Sequence, residues 1–192
     1  MKLINTQSVS VAQTKIENEN NNEFVISEKN NKEIIIEENI MPKIYDIPLE
    51  KSLQILLCKE CEKYNLSYEL CLAIINVETK FDPKEISKDG HDKGLFQLRD
   101  NTYPQILKEL NLENQNIMNP VINIKCGVWQ LNYLQDYWIS QGFDDEQVFN
   151  LMLNSYHFGI TKVKNKPNKF IKNTKYINAV YDYKYKLESE KY

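Results

Sequence analysis

The sequence predicts a mainly α-helical domain behind a polar N-terminal segment, on three observations. Apolar residues recur at three- and four-residue steps through most of residues 46–190. Helix-start and helix-stop residues punctuate that pattern at the right intervals. Strand-like runs are confined to the first forty residues and, as at most a small β element, to residues 84–102.

Residues 1–45 carry five Lys and seven Glu, and the run Glu17-Asn18-Glu19-Asn20-Asn21-Asn22 makes about twenty of them read as flexible. Phe24-Val25-Ile26-Ser27 and Ile34-Ile35-Ile36 flank the turn-prone Lys29-Asn30-Asn31-Lys32, which predicts a β-hairpin over 24–37. A hairpin is marginal unless it docks on something, so the segment is either a docking element for an assembly or a tail. Pro42 and Pro48 bracket a linker, and a second unit, 46–190, follows.

Leu49, Leu53, Leu56, Leu57, Cys61 and Tyr64 lie on one face of a helix over 49–64. Ser67 is the expected N-cap of a helix over 68–80 that is apolar nearly all round and therefore buried, with Asp82-Pro83 as its stop. Residues 84–102 read as a loop containing Gly90 and Gly94, and a short helix near 103–110 follows. Pro120 opens a long helix to about 138 with Val121, Ile124, Val128, Leu131, Leu134 and Trp138 on its stripe. Asp144 or Asp145 caps the next, which carries Val148, Leu151, Met152 and Tyr156 and stops at Gly159. A Lys/Tyr-rich helix over about 174–189 closes the chain.

Composition narrows the function. The chain has 192 residues, 42% hydrophobic and 27% charged, enough apolar material for a core and too much for a disordered protein. Its 24 basic and 27 acidic residues give −3, which argues against nucleic acid as the main partner. The charge is uneven: residues 161–192 alone hold nine Lys and three acids, a net of +6. Lysines 162, 164, 166, 169, 172 and 175 are therefore either a wall- or lipid-facing patch or simply a solvated face. The longest apolar run, Leu70 to Val77, is fenced by Glu69 and Glu78 and is too short to span a bilayer. Met1-Lys2-Leu3-Ile4-Asn5 has no apolar stretch behind it, so no secretory signal is expected.

Four cysteines stand at 58, 61, 71 and 126. Cys58-x-x-Cys61 lacks the second half of a zinc site, so no metal and no cofactor are expected; the four read as small core residues. A Cys nucleophile paired with His91 or His157 is the alternative. Trp129, Trp138 and tyrosines 133, 137, 181, 183 and 185 read either as core and rim or as a sugar-stacking platform.

Glu78 stands out. Cys71, Ile74, Ile75 and Glu78 follow i, i+3, i+4, i+7, which puts a carboxylate at the end of an apolar stripe and in the last helical turn. Partial burial and the negative end of the helix dipole both disfavour its ionised form and raise its pKa, as a general acid near neutral pH requires. The alternative is an ordinary helix-end Glu turned to solvent.

Around Glu78 the order of residues is informative. Val77-Glu78-Thr79-Lys80-Phe81-Asp82-Pro83 is followed by Ser87-x-x-Gly90, by Gly94-Leu95-Phe96-Gln97, and later by Asn154-Ser155-Tyr156-His157-Phe158-Gly159. In these blocks the sequence resembles the soluble lytic transglycosylases, enzymes that cleave peptidoglycan on a goose-lysozyme-like fold. The family pattern is Glu-Ser-x-Phe-x-Pro, Ser-x-x-Gly-Ala-x-Gly-Leu-Met-Gln and Ala-Tyr-Asn-x-Gly, then a late Tyr. The resemblance covers about 49–188, with Thr79, His91-Asp92, Phe96 and His157 as departures and one extra residue between Ser87 and Gly94.

The resemblance implies an α+β, lysozyme-like helical bundle around a substrate cleft, with Glu78 as catalytic acid and base. It implies that Ser87 and Gln97 line the cleft and hydrogen-bond the sugar or Glu78. Gly94 and Phe96 would shape its wall, the latter through backbone contacts and an apolar ring face; Tyr156 would reach the reacting muramyl unit, His157 would stand at the family's sugar-binding Asn position, and Tyr176 would be the late substrate-binding Tyr. The implied partner is the peptidoglycan glycan strand, cut between N-acetylmuramic acid and N-acetylglucosamine to leave a 1,6-anhydro end. Two alternatives stay open: a lysozyme-type hydrolase using Asp82, Asp89, Asp92 or Asp100 as second carboxylate, and a non-catalytic glycan-binding component. Without a secretory signal, such a protein is expected to be made in the cytoplasm. It would reach the wall by lysis, through a holin, or within an exported or phage-borne machine, with residues 1–45 as the contact to that assembly.

Overall fold

Amphipathic helices need a partner face, and in this chain the most apolar helix supplies it. The computed structural model describes residues 13–17, 23–29, 33–39 and 42–190, which fall into two units, Met1–Lys43 and Ile44–Tyr192. In the first unit, β1 (Gln13–Glu17), β2 (Glu23–Lys29) and β3 (Glu33–Asn39) form an antiparallel sheet in the order β1-β2-β3. Val25 pairs with Lys15 on one side and Glu37 on the other. Strand β1 falls within the stretch that composition alone reads as flexible, and the Lys29–Lys32 turn lies partly outside the described residues.

The second unit has seven helices among its described residues: α1 (Lys51–Lys63), α2 (Tyr68–Thr79), α3 (Tyr103–Glu109), α4 (Pro120–Ser140), α5 (Asp145–Phe158), α6 (Ile160–Lys164) and α7 (Lys175–Ser189). Their starts have chemical causes. Ser67 accepts from the Leu70 N–H, Asn119 from Val121 and Thr174 from Ile177, while Asp144 and Gln147 form a reciprocal capping box. α2 is the hub, with Leu72, Ala73, Ile74 and Ile75 wholly buried. Each of its buried Leu and Ile side chains contributes about 1.5–3 kcal/mol, and the helix is the one against which others pack. It packs against α7 and α1; α4 packs against α1, α3 and α5. Gln54 joins the linker to this core: its side chain takes the Tyr45 N–H and gives N–H groups to the Tyr45 and Leu49 carbonyls.

Two features depart from the sequence pattern. α2 stops at Thr79, four residues before Pro83, because Lys80 (φ 54°) and Phe81 (φ 70°) are both left-handed. That conformation costs about 1–2 kcal/mol per residue, offset here by burial of the Phe81 ring against Tyr183. The short α6 and the 3-10 turn Pro167–Lys169 have no periodic signature and were not anticipated. The β element near the site is a minimal pair, β4 (Asp92–Lys93) with β5 (Leu98–Arg99), extended by a bridge from Ile86 to Lys93.

Candidate active site

Glu78 ends the apolar stripe of α2, and α7 lies across that end. The first turn of α7 presents Tyr176, whose hydroxyl donates to Glu78 Oε1 at 2.7 Å. The second oxygen, Oε2, has no protein hydrogen-bond partner among the described residues. Burial pushes the Glu78 carboxyl up to about 7; the Tyr176 hydroxyl pulls the other way, and the charge of Asp92 raises it further. Burial is the largest cause, as the apolar stripe ending at Glu78 predicts. A carboxyl with this pKa is partly protonated at neutral pH and can both give and take a proton.

Two more aromatic residues complete the neighbourhood. Tyr156, on α5, donates its hydroxyl to the Phe96 backbone carbonyl. Burial raises both the Tyr156 and Tyr176 phenols well above their usual range, so both are donors and never phenolates at neutral pH. His157 stacks on Tyr176, with ring centroids 4.2 Å apart and planes within 11°. Partial desolvation, then the charge of Lys162, lowers its pKa. An exposed, neutral imidazole therefore lies over the tyrosine that holds Glu78.

The loop after α2 carries the remaining predicted residues; the structure overturns the ring role of Phe96 and, of the two roles expected of Ser87 and Gln97, the bond to Glu78. Ser87 does not reach Glu78: its hydroxyl donates to Asp89 Oδ1 at 2.5 Å and accepts from the Asp92 N–H. The Gln97 amide donates inward, to the Glu85 and Gly94 carbonyls. Both residues shape the loop, and neither bonds the acid. The Phe96 ring offers no face to a sugar, because it is fully buried against the backbone of Gly127. Only the Phe96 carbonyl is presented, to Tyr156. Gly94 has φ 69°, and a Cβ there would come within 2.5 Å of the Asn123 amide nitrogen, so a glycine is needed for the loop itself.

Asn123 and Gly127, one turn apart on α4, are residues that sequence reasoning missed. Asn123 is wholly buried and makes three bonds: it accepts from the Phe96 N–H (2.8 Å) and donates to the Lys93 and Ile117 carbonyls (2.9 and 3.1 Å). At Gly127 a Cβ would fall 2.2 Å from the Phe96 ring. The signals were an amide inside the apolar run Val121-Ile122-Asn123-Ile124 and a glycine in a helix interior. Thr79 ties the loop to α2 from the other side, donating to the Ile75 carbonyl at 3.0 Å with a weaker contact to Leu95 at 3.4 Å. Asn154 performs the matching task for α7, donating to the Phe170 carbonyl and accepting from Thr174.

The aspartates near Glu78 are committed elsewhere. Arg99 grips Asp92 through both carboxylate oxygens (3.1 and 2.9 Å) and Asp89 at 3.0 Å. Asp100 is held by Lys93 and by His91 Nδ1 at 3.2 Å. Asp82 accepts from the Lys84 N–H. Of these, Asp92 is the one whose charge raises the Glu78 carboxyl.

The cysteine alternative fails on burial. All four thiols are free; Cys61, Cys71 and Cys126 are buried, and burial pushes Cys58 and Cys126 up to about 12. A thiol that stays protonated is not a nucleophile, and neither histidine bonds one. Among the described residues no group of three or more His, Cys, Asp or Glu side chains is placed to hold a metal ion. No described helix is long and apolar enough to cross a membrane.

Known proteins give the arrangement a family. The 70 kDa soluble lytic transglycosylase of Escherichia coli superposes with a TM-score of 0.53 at 16% identity, over 70% of this chain and 24% of its own. An inactive mutant of the lytic transglycosylase Slt from Pseudomonas aeruginosa gives 0.52 at 17% identity, over 71% and 24%. This chain thus spans about a quarter of the length of those two proteins, with which it shares the fold. No curated protein matches it significantly by sequence. The transglycosylase SLT domain model matches residues 56–178, a stretch that contains Glu78, the loop, Tyr156 and Tyr176. The chain belongs to the transglycosylase SLT domain family.

Proposed function

We propose that this protein is a peptidoglycan lytic transglycosylase and that Glu78 is its single catalytic acid and base. The observation that carries the reading is one carboxyl, desolvated to a pKa of about 7, with one oxygen held by Tyr176 and the other without a hydrogen-bond partner among the described residues. As the acid, Glu78 protonates the oxygen between N-acetylmuramic acid and N-acetylglucosamine, and the bond from that oxygen to C1 of the muramyl unit breaks. As carboxylate, it then takes the proton of the muramyl C6 hydroxyl, whose oxygen closes on C1. The product is a 1,6-anhydro end, the acid is regenerated, and no water is consumed. Tyr176 steadies the carboxylate form between the two steps, and Tyr156 fixes the loop edge through the Phe96 carbonyl.

A two-carboxylate hydrolase needs a second free acid about 5 Å away for retention or roughly 6.5–9.5 Å away for inversion. Asp89, Asp92 and Asp100 are each ion-paired, which favours the single-acid route. Purified peptidoglycan incubated with the protein, followed by mass analysis of the released muropeptides, tests this. Products one water lighter than the hydrated reducing ends support the transglycosylase. Hydrated ends would make the protein a lysozyme, and no release would make it a binder.

A further inference from the structure

The predicted aromatic residues of α4 divide in two in the structure, one inside the core and the others at its rim, with Tyr133 exposed. Trp138 belongs to the inward stripe of α4 and is buried, its indole N–H bonded to Ser155 at 2.9 Å. Trp129, Tyr133 and Tyr137 recur every four residues on another face. With Asn132, Asp136 and Ser140 they line a surface pocket of about 340 Å³. The rings of Trp129 and Tyr133 are parallel to within 9°, with centroids 5.5 Å apart, and Tyr133 is 45% exposed. An aromatic ring held flat by a second ring offers a face to solvent at little further entropic cost. Beside it the Asn132 amide donates to Asp136 Oδ2 at 3.0 Å, which fixes a neighbouring set of polar groups.

We propose that this face of α4 is a second binding platform for the carboxylate-bearing peptidoglycan glycan strand, separate from the Glu78 site. The proposal rests on the functional reading above for its choice of polymer. A pyranose presents an apolar C–H face that fits an exposed ring and hydroxyl and acetamido groups that fit an amide–carboxylate pair, the mix of apolar wall and few oriented polar groups usual in ligand sites. Charge argues for a strand with carboxylates. Lys164 Nζ sits 3.8 Å from the Tyr137 ring centroid, and Lys162 lies 4.7 Å from that of Phe158. Lys162, Lys164, Lys166 and Lys169 are exposed, and among the described residues none of them pairs with a carboxylate. The basic strip also adjoins the candidate active site, because the charge of Lys162 acts on His157, which stacks on Tyr176. One strand gripped at a second place gains effective concentration at the first.

The test is binding of the full chain, carrying Glu78→Gln to stop cleavage, to insoluble peptidoglycan sacculi. Tyr133→Ala should weaken binding roughly three- to tenfold, and Tyr133→Phe should restore it. Lys164→Gln should flatten its salt dependence. Unchanged melting temperatures exclude misfolding as the cause. If the native chain releases muropeptides but Tyr133→Ala binds sacculi like its parent, the platform is refuted and the function stands. If the native chain neither releases muropeptides nor binds sacculi, both fall. A single-stranded oligonucleotide that binds the parent and is lost with Tyr133→Ala would also overturn the glycan assignment.

Discussion

Glu78 and Asp89 lie eleven residues apart and answer to opposite environments. Glu78 sits at the end of a buried helix with a single hydroxyl donor, and its carboxyl rises to about 7. Asp89 lies on the exposed loop, where Ser87, the His91 N–H and Arg99 drive it down to about 2. The contrast teaches that the number of donors and the access of water, more than the residue type, decide which carboxyl keeps a proton at neutral pH. On that loop the charges of Asp89, Asp92 and Asp100 are spent on Arg99, Lys93 and His91, which hold the loop together.

The largest effect that would break the comparison is on turnover. Glu78→Gln is expected to reduce muropeptide release by about 10³-fold or more, while Asp89→Asn stays within about threefold, both read by quantitative mass analysis. Equal losses would mean that the two carboxyls share the chemistry. Asn123→Ala comes next. It strands the Phe96 N–H and the Lys93 and Ile117 carbonyls, and should cost about 2–4 kcal/mol in urea unfolding. A loss under 1 kcal/mol would show that the loop does not depend on α4.

The pKa of Glu78 has a stability consequence whose sign is fixed. The folded state binds the proton more tightly than the unfolded chain, so the native state is favoured below the unfolded pKa near 4.5 and loses that advantage as pH rises toward 7. Glu78→Gln should therefore be more stable than its parent by about 1–3 kcal/mol at pH 8, and no more stable at pH 4. Calorimetry at the two pH values reads the difference directly. Tyr176→Phe removes the donor that opposes desolvation. The alkaline limb of the pH–rate profile should then move upward by roughly half a unit to one unit, with a modest loss in kcat. A downward move would mean that the hydroxyl stabilises the acid and not the carboxylate.

Much of this site was legible because its logic is local. The i, i+3, i+4, i+7 stripe ending at Glu78 predicted a half-buried carboxyl, and the capping residues Ser67, Asn119, Asp144 and Thr174 start helices close to where periodicity begins. The blocks around Glu78, Gly94 and Tyr156 pointed to the family that the domain match identifies. What was illegible depends on distant partners. Nothing near Phe96 in sequence says that its ring will lie on Gly127, or that Asn123, 27 residues on, will hold its N–H. The left-handed pair Lys80-Phe81 could not be read either, since neither residue prefers that conformation. The spacing of aromatics on α4 fits both core and surface; the structure separates them by which face of the helix meets α5.

The central claim is that one half-buried carboxyl keeps its proton until the pH nears neutrality, and it can be observed without substrate. Carboxyl-selective ¹³C NMR of the intact chain, with Glu78→Gln to assign the resonance, follows that group through a titration. A midpoint near 7 is the expected result. A midpoint near 4, in the range of an ordinary solvent-facing glutamate, would contradict the account.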